Sequence, residues 1–186
     1  MATWIWAIVA VGAVAVLFVV VLGLVRARRR RGLRRQFGPE YDRTLDRAGS
    51  KSGAEAELAG RAERRRDFEV RSLPPGARRS YAVAWQDVQA RFVHSPADCV
   101  EEADVLVTRL LRERGYPVDD FGERSDLVSV DHPDLVEDYR AAHRVAVAET
   151  AGKATTEDRR QAMVHFRSLF TALLGRSQES EAGVPS

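Results

Sequence analysis

Residues 4–25 form an unbroken apolar run of 22 residues, WIWAIVAVGAVAVLFVVVLGLV. At about 1.5 Å per residue this would reach roughly 33 Å as a helix, enough for a hydrocarbon core of about 30 Å. Within lipid, one segment satisfies all its backbone polar groups only as a helix, so the many valines do not argue for a strand. Trp4 and Trp6 stand at one end, where indole rings favour the interface. Arg26, Arg28, Arg29, Arg30, Arg31, Arg34 and Arg35 close the other end. A cleaved leader would carry its positive charge before the apolar run and a small-x-small site after it. Here the charge follows and RARRRR offers no such site, so the expectation is a retained single-pass anchor in the lipid bilayer. The positive-inside rule then places the arginines and the rest of the chain in the cytoplasm, with residues 1–3 outside. Within residues 1–25 only Thr3 and Ala7 give small-xxx-small spacing, so pairing of helices through the membrane is not expected.

The arginine cluster has two readings. As a stop-transfer and topology signal it needs no ligand, and that is the expectation. As a ligand site it would recruit anionic lipid headgroups, each basic group near the surface adding about 1 kcal/mol. Nucleic acid is not expected, because residues after 35 hold 22 bases against 27 acids.

Beyond the arginines the chain reads as helices separated by proline, glycine and capping residues, with no repeat of fixed period. Pro39 after Gly38 opens a short helix to about Arg47, and GSKSG at 49–53 is a break. Residues 54–67 suit a charge-rich helix with few apolar positions, and 68–71 alternate as a short extended piece would. Tyr81, Trp85, Val88 and Phe92 share one helix face. Ser95-Pro96 opens a second helix to about Arg114, with Val100, Ala103, Val107, Leu110 and Leu111 as its buried stripe. A loop with at most one helical turn is expected over 118–130, and Asp131-His132-Pro133 reads as the cap of the next helix. Thr155 with Asp158 resembles a capping box before a last helix ending at Gly175. The predicted fold class is therefore all-α, with a transmembrane helix (4–25), an arginine-rich juxtamembrane segment (26–35), a charged helical stalk (36–76), a small helical bundle (77–175) and a disordered tail (176–186).

Catalytic constellations are hard to find. The single cysteine, Cys99, excludes an intramolecular disulfide and falls near the apolar stripe, as a packed thiol would. His94, His132, His143 and His165 are too dispersed to read as a metal site, and no His-x-x-x-His or Cys-x-x-Cys spacing occurs. Gly152-Lys153 fails as a phosphate loop, because Val147 and Ala154 stand where glycine and Ser or Thr are needed. Glu101-Glu102 and Asp119-Asp120 read as solvated surface or a helix start. No cofactor, metal or catalytic residue is assigned.

The segments QFGPEYDRTLDRAG, WQDVQARFVHSP, RGYPVDDFGERSDLVSVDHPDLVEDYR and TTEDRRQAMVHFRSLFTALLG resemble a group of actinobacterial single-pass membrane proteins, often labelled only "membrane" or "secreted". The resemblance covers about residues 35–175 and implies no activity, cofactor or catalytic residue. The leading expectation is a membrane-tethered, non-enzymatic interaction or scaffold module with an unknown protein partner. Two alternatives stand beside it: an anionic-lipid sensor using the arginines, and an enzyme assembled from dispersed residues such as His132, His143 and Asp134.

Overall fold

A computed structural model describes residues 3–175, with side chains described from Leu17 onward except Val19 and Arg26. The first two residues and the 176–186 tail therefore lie outside the described residues. The described chain is all-helical, without a strand: α1 Thr3–Phe37, α2 Pro39–Ala48, α3 Lys51–Arg66, α4 Pro75–Arg91, α5 Pro96–Glu113, α6 Phe121–Asp131, α7 Val136–Thr150 and α8 Thr156–Gly175. It divides into two compact units, Met1–Leu58 and Ala59–Ser186.

In the first unit the apolar run and the arginine run share one continuous helix, the 35-residue α1. Among the described residues no helix is long and apolar enough to cross a membrane. Of the apolar run, those residues hold the side chains of Leu17, Phe18 and 20–25. Gly38, at φ 45°, turns the chain into α2, whose first residue is Pro39. Gly49, in the left-handed conformation that glycine adopts without strain, closes α2 by donating its N–H to the Leu45 carbonyl. Leu33, Phe37, Tyr41 and Thr44 are buried at steps of four, four and three, and Ala54 and Leu58 are buried one turn apart on α3. Charged as this stretch is, it hides a narrow apolar stripe.

The second unit is the bundle. Cys99, Val100, Ala103, Val107, Leu110 and Leu111 of α5 are all fully buried, as the stripe spacing predicts. α5 packs against α4, α7 and α8, and α7 against α6 and α8. Trp85 of α4 stacks on Phe170 of α8 with ring centroids 4.8 Å apart. Before α4 the chain is not helical from Glu69 to Pro74, and the Arg71 N–H donates to the Arg114 carbonyl at 2.9 Å. Gly115 faces this segment at φ 92°, and a Cβ there would stand 2.5 Å from the Glu69 carbonyl oxygen, so only glycine fits without displacement. The expected capping box holds: Asp158 accepts from the Thr155 N–H at 2.9 Å, and Thr155 Oγ1 accepts from the Asp158 N–H at 3.2 Å.

Two local expectations are corrected. The 118–130 loop is largely the 11-residue helix α6, started by Asp120, whose carboxylate accepts the Glu123 N–H at 2.7 Å. Its glycine and serines dilute the apolar pattern, yet Leu127 and Val128 are fully buried. Asp131-His132-Pro133 does not cap α7. Asp131 is the last residue of α6 and His132 its C-cap, and the chain turns through 133–135 before α7 begins at Val136.

Candidate functional site

The feature that most departs from an ordinary water-facing surface is the described part of α1's apolar run. Leu17, Phe18, Val20, Val21, Leu22, Leu24 and Val25 are all exposed, between 38% and 63%. At 100° per residue these positions, with Gly23, leave little of the helix circumference polar, so no turn of α1 can hide this surface against one neighbour.

The arginines that follow do not form a uniform cationic collar. Arg30 Nε lies 3.5 Å from Glu55, and Arg34 donates to Asp42 at 2.9 Å and sits over the Tyr41 ring. The Asp42 hydrogen bond and charge raise the Arg34 pKa further. Among the six arginines whose side chains are described, two thus have carboxylate partners within the first unit. Arg28, Arg29, Arg31 and Arg35 are exposed, and the Arg26 side chain lies outside the described residues. Glu55 also accepts from the Tyr41 hydroxyl, at 3.1 Å, which ties α2 to α3. The motif most open to reading from sequence is therefore partly neutralised by acids that sequence did not pair with it.

In the bundle the structure separates the dispersed residues singled out above. His143 lies beside Asp104 of α5, with Nδ1 at 3.0 Å from Oδ1, and its ring stacks on Phe121 at a 3.7 Å centroid distance. His132 is buried at the α6 C-terminus and Asp134 is exposed. The carboxylate that orients His143 is thus Asp104 and not Asp134. Sequence placed Asp104 one position past the stripe residue Ala103 and gave no reason to link it to a histidine 39 residues away. His165 lies 3.2 Å from Asp138, bridging α8 and α7. Cys99 is fully buried, and that burial pushes its thiol pKa up, away from nucleophilic thiolate character. Among the described residues no group of three or more His, Cys, Asp or Glu could hold a metal ion.

The most charged interior is a network joining α3 to α6 and α7. The buried Arg61 reaches Asp126 at 2.9 Å and donates to Ser129 Oγ at 3.2 Å. Asp126 also faces Arg64 and Arg140. One turn further along α3, Arg65 Nε donates to Asp131 at 2.5 Å, and the Tyr116 hydroxyl donates to the same carboxylate oxygen. Burial first, and the Asp131 charge second, push the Tyr116 hydroxyl pKa up. This network ties α3 to α6 and α7 through paired charges. Arg61 continues the Ala54–Leu58 buried face of α3 by three residues.

The chain matches no family model, no curated protein and no solved structure.

Proposed function

We propose that this protein is a membrane-anchored, non-enzymatic interaction module. Residues 4–25 cross the bilayer once, and the helical bundle is held at the cytoplasmic face, where tethering raises its effective concentration for membrane-proximal partners. The observation that carries this reading is the exposed apolar surface of α1 at Leu17, Phe18, Val20, Val21, Leu22, Leu24 and Val25. An exposed helix surface that is apolar on nearly all sides is at home in hydrocarbon and costly in water, at about 25 cal/mol per Å² of apolar surface. The seven arginines that follow support a cytoplasmic orientation for everything after them. The resemblance to actinobacterial single-pass membrane proteins fits the same reading.

The pairing of Arg30 and Arg34 favours topology signalling over lipid sensing, because a headgroup would have to displace Glu55 and Asp42. The test uses the full chain expressed in cells. Alkaline carbonate should leave it in the membrane pellet, and Ser186→Cys should react with a membrane-impermeant thiol reagent only after permeabilisation. Release by carbonate would overturn the anchor. Labelling in intact cells would overturn the orientation.

A further inference from the structure

Among the described residues of the second unit, Arg71, Arg78, Arg79, Arg109, Arg112 and Arg167 make no ion pair and no side-chain hydrogen bond. They are not scattered over the bundle but gather around the first half of α4. Arg78 shares the cleft between α4 and α8 with Arg167, and Arg109 lines the cleft on the other side of α4, against α5. Arg109 and Arg112 both stand close enough to the Tyr81 hydroxyl of α4 for their charges to act on it. The Arg71 N–H donates to the Arg114 carbonyl where α5 ends. Two acids, Glu69 and Glu113, stand among these cations. The other half of the α4–α5 pair is acidic. Asp87, Asp98, Glu101 and Glu102 line one cleft there with Arg109 and with Arg91, which is already committed to Asp87 and Glu102.

The chain after residue 35 is net −5, so an anionic surface repels it as a whole and attracts it through this face. All but the half-buried Arg78 are exposed, and the arginines come from four separate stretches of chain without a common spacing. An acidic protein would have to match that scatter charge for charge. Lipid headgroups are laterally mobile and supply charge wherever an arginine stands. Screening confines the attraction to about a Debye length, roughly 10 Å at 0.1 M salt, so it acts on a bundle already near the membrane. We propose that the arginine face around the first half of α4 docks the bundle onto the anionic lipid of the leaflet to which the chain is anchored. The proposal rests on the anchor reading, which supplies the proximity, and it uses none of the arginines of α1. Docking sets which way the bundle faces, so the acidic half of the α4–α5 pair points away from the leaflet, toward cytoplasmic partners.

The test uses the full chain reconstituted into vesicles of phosphatidylcholine, alone or with one-third phosphatidylglycerol, each with a trace of lipid carrying a nitroxide on its headgroup. A fluorophore is placed on Ser80→Cys, exposed beside Arg79, or on Lys153→Cys, exposed before the start of α8, whose other end borders Arg78. Cys99 is fully buried and stays unlabelled. The nitroxide should quench Ser80→Cys several-fold more in the anionic vesicles than in phosphatidylcholine, while Lys153→Cys shows no such difference. The difference should disappear in 0.5 M NaCl, where the screening length falls to about 4 Å. Arg79→Gln with Arg109→Gln and Arg112→Gln should abolish it. Lysine at the same three positions should keep it, because a leaflet reads charge and not the guanidinium fork, and that retention separates lost charge from lost folding. Equal quenching in the two lipids, or at the two labels, would overturn the proposal and leave the face to an acidic protein. A difference that survives the three glutamines would overturn it as well. A chain that fails to float with phosphatidylcholine vesicles would instead overturn the anchor.

Discussion

Gly115 shows how a single residue can be dictated by both its own backbone and a neighbour's. Its φ of 92° is strained for an L side chain, and the Glu69 carbonyl stands where a Cβ would go. Gly115→Ala should lower stability by about 2–3 kcal/mol, combining the left-handed penalty with displacement of the 69–71 segment. Gly152, at φ 64° with nothing within 4 Å of its Cβ position, isolates the first term. Gly152→Ala should cost only about 1 kcal/mol. Urea unfolding of both variants checks this, and equal midpoints would remove the role given to Glu69. The tyrosines set a second residue-scale prediction. Burial raises Tyr81 and Tyr139 to about 12, in each case as the largest cause, and pushes Tyr116 up as well. An unfolded tyrosine titrates near 10. Between about pH 10 and 12 the unfolded chain therefore loses protons that the folded chain keeps, so stability is intact below pH 10 and falls as pH rises through that window. Tyr116→Phe should make the alkaline decline shallower by about one proton, or roughly 1.4 kcal/mol per pH unit. An unchanged slope would show that Tyr116 ionises normally in the folded chain.

Helices declare themselves in sequence when one face is uniformly apolar, and they escape notice when polar groups share it. The stripe of α5 was readable because its positions are Val, Ala and Leu at unbroken three- and four-residue steps, all buried. α6 was not, because Arg124, Ser125 and Ser129 are buried on it beside Leu127 and Val128. Arg124 reaches the Val118 carbonyl at 3.0 Å, while Ser125 and Ser129 donate to carbonyls three residues back. Local hydrogen bonds thus satisfy groups whose chemistry reads as loop. The same limit hid the α3–α6 network, whose partners lie 62 to 68 residues apart in sequence. Its weight can be measured. Arg61→Ala removes a buried guanidinium and leaves Asp126 and Ser129 short of a donor, so it should destabilise the bundle by about 3 kcal/mol. Arg64→Ala removes a more exposed cation from the same carboxylate at 3.7 Å and should cost well under 1 kcal/mol. Comparable losses at the two positions would mean that Arg61 acts through surface charge and not through burial.

For the whole molecule, composition alone is misleading: a net charge of +2 conceals an uncharged start, seven arginines and a body of net −5. That polarity is legible without any structure, and it carries the proposed anchor and orientation. What sequence did not supply is the division at Leu58, which falls inside the continuous helix α3, where Gly60 is accommodated without a break. The bundle core is drawn from Leu73 to Leu173 and includes none of the exposed apolar residues of α1. Anchoring and folding should consequently be separable. Leu17→Arg together with Phe18→Arg puts two charges about 11–12 Å inside the apolar run, measured back from Val25 along the helix. Each is expected to disfavour insertion by about 2.5–3.5 kcal/mol near the helix centre. The doubly substituted chain should move substantially from the membrane pellet to the soluble or aggregated fraction. Purified in detergent, it should still melt at the temperature of the unsubstituted chain, because neither residue belongs to the bundle core. A lowered melting temperature with full membrane retention would reverse both halves of this reading, making the run a folding element of the protein and not its attachment to the bilayer.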